Sequence, residues 1–171
     1  LLSLRFLFMI RRPPRSTPVP YTTLFRSKGC DLVVEAVFEN LDVKREVFHK
    51  LDKHTGPETI LATNTSSFRV TDLQQDLQHP ERVVGLHYFF HPAKNRLVEV
   101  IPGDLSSVSA TARAWQIMGA TGKTAIPSID ACGFIVNRFF VPWVNEAARL
   151  LEEGHGSPSE IDRVARDAFR I

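Results

Sequence analysis

The chain has 171 residues, 43% of them apolar and 23% charged, which is typical of a globular protein with one sizeable core. Its formal net charge of +2 depends on residues 1–28, which carry six basic side chains and no acidic one. Residues 29–171 hold 15 basic against 19 acidic side chains, so we expect no nucleic-acid partner. No apolar run reaches the roughly 20 residues of a membrane span.

The chain has two cysteines, Cys30 and Cys132, which lie far apart and form no CxxC pair. Such sparse use of cysteine is typical of proteins in a reducing compartment. We therefore expect a cytoplasmic protein.

Residues 1–28 differ in character from the rest of the chain. They contain four of the eleven prolines and show no sustained helical or strand period. Three interpretations fit them: an arginine-rich transit peptide, translated sequencing-adapter read-through, and a disordered basic tail. We favour the adapter read-through, because a transit peptide would be followed by the start of a domain, whereas residue 29 begins in the middle of one. All three interpretations predict no folded element in residues 1–28.

From residue 29 onward, strand-like and helix-like segments alternate. Short apolar or β-branched runs predict strands, and apolar residues confined to one helical face predict helices. This alternation favours a parallel α/β sheet. The predicted strands are 31–37, 59–63, 83–89, 97–101 and 124–126, and the predicted helices are 41–54, 70–77 and 108–118.

After Asp130 the pattern becomes helical. Residues 133–154 form an amphipathic segment too long for a strand, which predicts one helix that is interrupted or kinked at Pro142. A further helix follows, capped by Ser157 or Ser159.

An α/β sheet followed by helices predicts a dinucleotide-binding domain joined to a helical domain. We assign a partial Rossmann-like domain to residues 29–128 and the start of an all-α domain to residues 129–171. The glycine loop GxGxxG is absent, and the one GxG, at Gly154 and Gly156, lies in a polar connection between helices. We therefore expect the sheet to lack its first βαβ unit, the one that carries the glycine loop.

His87 is the strongest candidate for chemistry. It ends a predicted buried strand, at the sheet edge where such folds handle ligands. Twelve residues later, Glu99 interrupts the apolar run LVEVI, where a carboxylate needs a partner. A carboxylate on one imidazole nitrogen leaves the other nitrogen to act as a general base. Three alternatives stay open: a hydrogen-bonded core histidine, a Glu99 that faces water, and a metal site that adds His91.

Other polar side chains follow the predicted strands or interrupt apolar segments. Ser66 belongs to NTSS, a cluster of a kind that is often a helix cap or turn. Glu39 and Lys44 follow the first predicted strand, where charges usually face solvent. Asn137 lies in the apolar segment GFIVNRFF and therefore needs a specific hydrogen-bond partner.

Four segments occur in a fixed order: DLVVEAVFENLDVK, a strand ending in TNTSS, GLHYFF followed by LVEVI, and GFIVNRFFVPWVNEA. Together they resemble the 3-hydroxyacyl-CoA dehydrogenase family. The spacings agree with the family pattern, with 21 residues from Ser66 to His87 and 12 from His87 to Glu99. The resemblance covers about residues 29–169, which is nearly half of a full family domain.

The resemblance implies a role for each candidate. It makes His87 the catalytic base and Glu99 the carboxylate that orients it. Ser66 and Asn137 would hydrogen-bond the reacting oxygen or hold the substrate. The implied reaction is the oxidation of (3S)-3-hydroxyacyl-CoA to 3-ketoacyl-CoA.

The implied cofactor is NAD. Glu39 and Lys44 match family positions that contact the ribose on the nicotinamide side, and Ser66 is assigned to the same cofactor site. One departure concerns the stretch after the histidine, which in the family usually reads HFFNP. Phe90 and His91 stand there in this chain, so the role of the family's asparagine is not transferred to Phe90.

The resemblance also implies a place in fatty-acid β-oxidation. The parent protein would be a homodimer or one part of a multifunctional hydratase–dehydrogenase polypeptide, located in the cytoplasm, or in the mitochondrion of a eukaryote. Because the glycine loop that holds the pyrophosphate is absent, we expect this chain alone to lack dehydrogenase activity.

Three rival functions remain. The first is a related NAD-dependent dehydrogenase of another hydroxy acid, which only substrate turnover separates from the favoured one. The second is a non-catalytic protein of the same fold, which the joint presence of Ser66, His87, Glu99 and Asn137 argues against. The third is nucleic-acid binding through the arginines of residues 1–28.

Overall fold

The structure, a computed structural model, describes residues 6–10 and 27–170. Its contacts divide the chain into two compact units, Leu1–Phe134 and Ile135–Ile171. The division falls a few residues after the boundary predicted at residue 128. In the described part of the chain, no helix is both long enough and apolar enough to cross a membrane.

The first unit is built on a sheet whose strands follow sequence order from β1 to β6. The first four strands are parallel to one another, which confirms the prediction of a parallel α/β sheet for this part. The strands are β1 (Phe6–Ile10), β2 (Leu32–Ala36), β3 (Ile60–Thr63), β4 (Val83–Tyr88), β5 (Leu97–Pro102) and β6 (Thr124–Pro127).

Strand β5 runs antiparallel to β4, and β6 is parallel to β5. The sheet is therefore mixed, whereas the sequence pattern favoured a parallel one. The reason is the connection between β4 and β5, residues 89–96, which contains no helix. A parallel crossover needs a dozen or more residues, while an antiparallel pair can be joined by a short loop.

Strand β1 corrects one prediction. Phe6–Ile10 pairs in parallel with β2, so the prediction that residues 1–28 hold no folded element is wrong for these five residues. An apolar run of this kind suits a strand, and β2 has an outer edge of backbone groups that needs hydrogen-bond partners. The rest of that prediction, for residues 1–5 and 11–26, lies outside the described residues.

Helices cover both faces of the sheet. The apolar residues of β2 alternate between two clusters, with Val33 in one and Leu32 and Val34 in the other. The first cluster includes residues of α1 and α2, and the second includes residues of α3, so the unit has three layers. The helices are α1 (Leu41–His54), α2 (Val70–Gln74) and α3 (Val108–Ala120), with a 3₁₀ turn at Pro80–Arg82.

The second unit consists of helices, as predicted. Helix α4 (Val136–Glu152) is continuous through Pro142, so the interruption predicted there does not occur. Helix α5 (Pro158–Val164) continues into a π-helical turn at Ala165–Phe169. Ser157 caps α5 in a reciprocal capping box with Glu160, so of the two serines predicted as the cap, Ser157 and Ser159, it is Ser157 that begins the helix.

A buried ion pair ties α1 to the loop that precedes β4. Arg82 Nη2 lies 2.8 Å from Asp52 Oδ1, and both side chains are 3% exposed. Burial raises the pKa of Asp52, but the hydrogen bonds from Arg82 and from the Gln78 amide, together with the charge of Arg82, outweigh it and lower that pKa.

Replacing Asp52 by Asn should lower the free energy of unfolding by about 3–5 kcal/mol, because the buried Arg82 loses its counter-charge. Glu46→Gln, which breaks an exposed pair with Lys50, should have a much smaller effect on the free energy of unfolding. Urea unfolding measures both. Since the pKa of Asp52 is lowered on folding, its contribution is present above the ordinary value of 3.8 and is lost as the pH falls through the lower folded value. Equal effects of the two substitutions would contradict this account.

Candidate active site

The candidate site lies where β2, β3 and β4 end. Glu39 and Ser66 follow β2 and β3, and His87 lies within β4 just before the strand ends. The carboxyl ends of parallel strands share one edge of a sheet, and open α/β sheets bind ligands at this edge. The alternation of strand and helix thus brings together residues that are far apart in sequence.

His87 and Glu99 are directly opposed residues of the β4–β5 pair. Opposed residues of an antiparallel pair project to the same face with their Cβ atoms about 5 Å apart. His87 Nδ1 lies 2.7 Å from Glu99 Oε2, and the Glu99 side chain is 0% exposed. The alternative of a water-facing Glu99 therefore does not fit the structure.

The third member of the array is Ser66, whose Oγ lies 3.0 Å from His87 Nε2. A carboxylate only accepts hydrogen bonds, so Nδ1 of His87 carries a hydrogen and donates it in a hydrogen bond to Glu99. In the neutral ring, Nε2 is then an acceptor, and the Ser66 hydroxyl donates to it. Nε2 points toward Ser66, and it is the nitrogen of His87 that can take up a proton.

Close packing holds α2 and the Ser66 turn (residues 64–68) against β4. A Cβ at Gly85, two residues before His87, would lie 2.9 Å from Val70 Cγ2 and 2.9 Å from Ile101 Cβ, so only glycine lets α2 come this close. Asn64 Oδ1 also accepts a 2.9 Å hydrogen bond from the Tyr88 amide, which ties the turn to the end of β4.

Glu39 and Lys44 belong to a buried charge network. Lys44 Nζ lies 2.9 Å from Glu35 Oε1 and 3.1 Å from Glu39 Oε2, and its side chain is 1% exposed. Glu35 also accepts a 2.8 Å hydrogen bond from Thr63 Oγ1. The expectation that charges in this region usually face solvent thus does not hold for Lys44, whereas the Glu39 side chain is 38% exposed.

Glu39 binds the Ser66 turn directly. Its Oε1 accepts hydrogen bonds from Thr65 Oγ1 and from the Ser66 and Ser67 amides, the last two at 3.1 Å. Burial raises the pKa of Glu39, but these hydrogen bonds and the charge of Lys44 outweigh it, so the pKa lies below its ordinary value. Glu39 is therefore a carboxylate at neutral pH.

Two aromatic rings flank the His87 imidazole. The ring centroid of Phe89 lies 4.7 Å from that of His87, and the centroid of Phe134 lies 5.4 Å away. Phe134 is buried and has a φ of +46°, a conformation that is uncommon for a residue with a side chain. Both rings pack against the His87 side chain, which is 4% exposed.

Two further sequence-based expectations concern Asn137 and a metal. Asn137 lies in the first turn of α4, within the second unit, so its assignment to the site stays a prediction. Among residues 27–170, no group of three or more His, Cys, Asp or Glu side chains is placed to hold a metal ion. His91, the extra ligand of the metal alternative, is exposed.

Sequence reasoning did not single out three residues of this region. Glu35 is a carboxylate inside the apolar strand β2, the same signal that drew attention to Glu99, and it could have been found. Asp130 accepts hydrogen bonds from the Val70 and Thr71 amides and anchors the segment before Phe134. The contact of Phe134 with His87 has no local sequence signal, because it depends on a backbone turn.

A three-layer α/β unit with a polar site at the carboxyl edge of its parallel strands has the architecture of Rossmann-like dinucleotide-binding domains. Residues 17–131 match the family described as 3-hydroxyacyl-CoA dehydrogenase, NAD binding domain, and residues 133–171 match the C-terminal domain of the same family. The chain belongs to the 3-hydroxyacyl-CoA dehydrogenase family.

Three relatives illustrate the similarity. A 3-hydroxybutyryl-CoA dehydrogenase of Clostridioides difficile is 35% identical over 81% of this chain and 50% of its own length. A 3-hydroxyadipyl-CoA dehydrogenase of Escherichia coli K12 is 37% identical over 87% of this chain and 31% of its own length. The crystal structure of an (S)-3-hydroxybutyryl-CoA dehydrogenase from Ralstonia eutropha superposes with a TM-score of 0.80 at 34% identity, over 86% of this chain and 52% of that one. This chain thus spans half or less of the two curated relatives.

Proposed function

We propose that the protein containing this chain is an NAD-dependent dehydrogenase that oxidises (3S)-3-hydroxyacyl-CoA to 3-ketoacyl-CoA. The observation that carries the proposal is the hydrogen-bonded array Ser66–His87–Glu99, at 3.0 and 2.7 Å, in a chain that belongs to this family. The relatives' names supply the substrate class, since both curated relatives are dehydrogenases of 3-hydroxyacyl-CoA thioesters.

The array suits the removal of a hydroxyl proton. Nε2 of His87 takes the proton of the substrate's 3-hydroxyl, and the Glu99 carboxylate stabilises the imidazolium that forms. The Ser66 hydroxyl, already within hydrogen-bond distance of Nε2, holds the reacting oxygen beside it. When bound, NAD supplies the acceptor for the hydride that leaves the substrate's third carbon.

The residues at the site fit the ribose on the nicotinamide side of NAD. Glu39 is ionised and 38% exposed at the carboxyl edge, and a carboxylate of this kind accepts hydrogen bonds from ribose hydroxyls. Lys44 is 1% exposed, and Glu35, Val37 and Glu39 all accept from its ammonium group. We therefore assign the cofactor contact to Glu39 and infer that Lys44 acts through it.

Asn137 completes the proposed set of substrate contacts on the strength of the family resemblance. The wider setting is a proposal of the same kind: a role in fatty-acid β-oxidation, in the cytoplasm or in a eukaryotic mitochondrion, as a homodimer or as one part of a multifunctional enzyme. No nucleic-acid partner is proposed, since the basic excess is confined to residues 1–28.

The full-length protein should reduce NAD with 3-hydroxybutyryl-CoA and should show at least about 100-fold lower kcat/KM with free 3-hydroxybutyrate or a sugar acid, because a site built for a thioester loses many contacts with the truncated substrates. Absorbance of the reduced cofactor measures the rates. A higher kcat/KM with a free acid would instead support a dehydrogenase of another hydroxy acid. No turnover of any of these substrates by the folded protein would support a non-catalytic role.

A further inference from the structure

The Glu39 side chain belongs to the segment after β2 and binds the segment after β3. It follows β2, yet its Oε1 accepts from Thr65 Oγ1 and from the Ser66 and Ser67 amides, all of which follow β3. One oxygen thus receives three donors from a turn that lies 26 to 28 residues further along the chain. Hydrogen bonds to a charged acceptor are about twice as strong as neutral ones.

The same turn fixes the catalytic serine. Thr65 Oγ1, which donates to Glu39, also accepts from the Ser67 and Phe68 amides at 3.3 and 3.0 Å. Ser66 therefore lies between two residues that are bound to Glu39. The Ser66 amide also donates to Glu39, and the Ser66 hydroxyl lies within hydrogen-bond distance of His87 Nε2.

Lys44 and Glu35 hold Glu39 in turn. Lys44 bridges the two carboxylates, and Glu35 Oε1 also accepts a 2.6 Å hydrogen bond from the Val37 amide, so the chain leading to Glu39 is fixed at both ends. Glu39 carries a negative charge in a partly exposed place beside this buried pair. The amide and hydroxyl donors of the Ser66 turn offset that charge, so Glu39 and the turn stabilise each other.

We propose that Glu39 is a positioning residue for Ser66, in addition to its proposed contact with the cofactor, and that the buried Glu35–Lys44 pair keeps it in place. One carboxylate then joins the cofactor side of the site to the side that holds the reacting oxygen. The link to catalysis rests on the proposed function, whereas the link between Glu39 and the Ser66 turn does not.

Hydrogen exchange tests the structural link without substrate or cofactor. In the full-length protein, Glu39→Gln should speed amide exchange in peptides covering residues 64–68 by about tenfold or more, because the Ser66 and Ser67 amides lose their charged acceptor. Glu46→Gln removes an exposed carboxylate of α1 and should leave these peptides unchanged. If Glu39→Gln does not fold, Glu39→Asp keeps the charge but shortens the side chain, and it should give the same direction of change. Unchanged exchange in the folded variant overturns the proposal.

Kinetics of a double variant test the link to catalysis. If Glu39 acts through Ser66, Glu39→Gln and Ser66→Ala should each lower kcat, by roughly 10- to 100-fold, and the double variant should be little worse than Ser66→Ala alone. The KM for NAD should rise more in the variants that lack Glu39 than in Ser66→Ala alone. Multiplicative effects on kcat would overturn the positioning role. A wild-type protein that shows the expected exchange but no turnover would overturn the proposed function and leave the Glu39–Ser66 link intact.

Discussion

Replacing His87 by Gln in the full-length protein should lower kcat by about 100- to 10,000-fold, the range expected for the loss of a positioned acid–base group. Nε2 of His87 is within 3.0 Å of Ser66 Oγ and takes the substrate's proton in our account, whereas a glutamine amide has no comparable basicity. The KM for NAD should change little, because the proposed cofactor contact is Glu39. Steady-state kinetics with 3-hydroxybutyryl-CoA measure both quantities.

His79→Gln is the matched control for this substitution. His79 is exposed and pairs at 3.4 Å with Glu81, outside the candidate site, so its replacement should leave kcat unchanged. A loss of less than tenfold in His87→Gln, with the protein folded, would remove His87 from the role of catalytic base.

Glu99→Gln should lower kcat by about 100-fold or more. The amide that replaces the carboxylate can donate to Nδ1 of His87, which allows the other tautomer, with the proton on Nε2 and no acceptor for the substrate's hydroxyl. The imidazolium formed during the reaction also loses its counter-charge, in a place where the Glu99 side chain is 0% exposed. Kinetics give the rate, and nitrogen-15 NMR of the His87 ring gives the tautomer.

Glu81→Gln serves as the control, because Glu81 is an exposed carboxylate outside the site. A normal kcat and an unchanged His87 tautomer in Glu99→Gln would mean that the 2.7 Å contact between these side chains has no part in the reaction.

The sequence was most informative where function depends on local spacing. The sequence predicts a His87–Glu99 pair beside three alternatives, and the structure makes the two side chains opposed residues of one strand pair. The carboxyl-edge position of Ser66 was also predicted, since it needs only a strand followed by a polar turn. His87 and Glu99 are only twelve residues apart. The short loop between their strands therefore leaves few possible ways in which the two strands can pair.

Features that depend on distant contacts were not predictable from one sequence. Strand β5 runs antiparallel to β4 because the loop before it is short. The sequence of that loop has no turn signal strong enough to outweigh the strand–helix alternation, which favours a parallel strand. The position of Glu39 depends on Lys44 being buried between two carboxylates, whereas charges at such spacing usually face solvent. The apolar run of β1 does not by itself predict a strand, because its hydrogen-bond partner is the distant strand β2.

The most direct test of the central claim is to follow deuterium from the substrate to the cofactor. The full-length protein is incubated with NAD and (S)-3-hydroxybutyryl-CoA that carries deuterium on the third carbon, and the reduced cofactor is analysed by mass spectrometry. We expect one deuterium in the reduced cofactor and an equal amount of 3-ketobutyryl-CoA, since oxidation at that carbon moves its hydride to NAD. A cooperatively folded protein that forms neither product would contradict the claim.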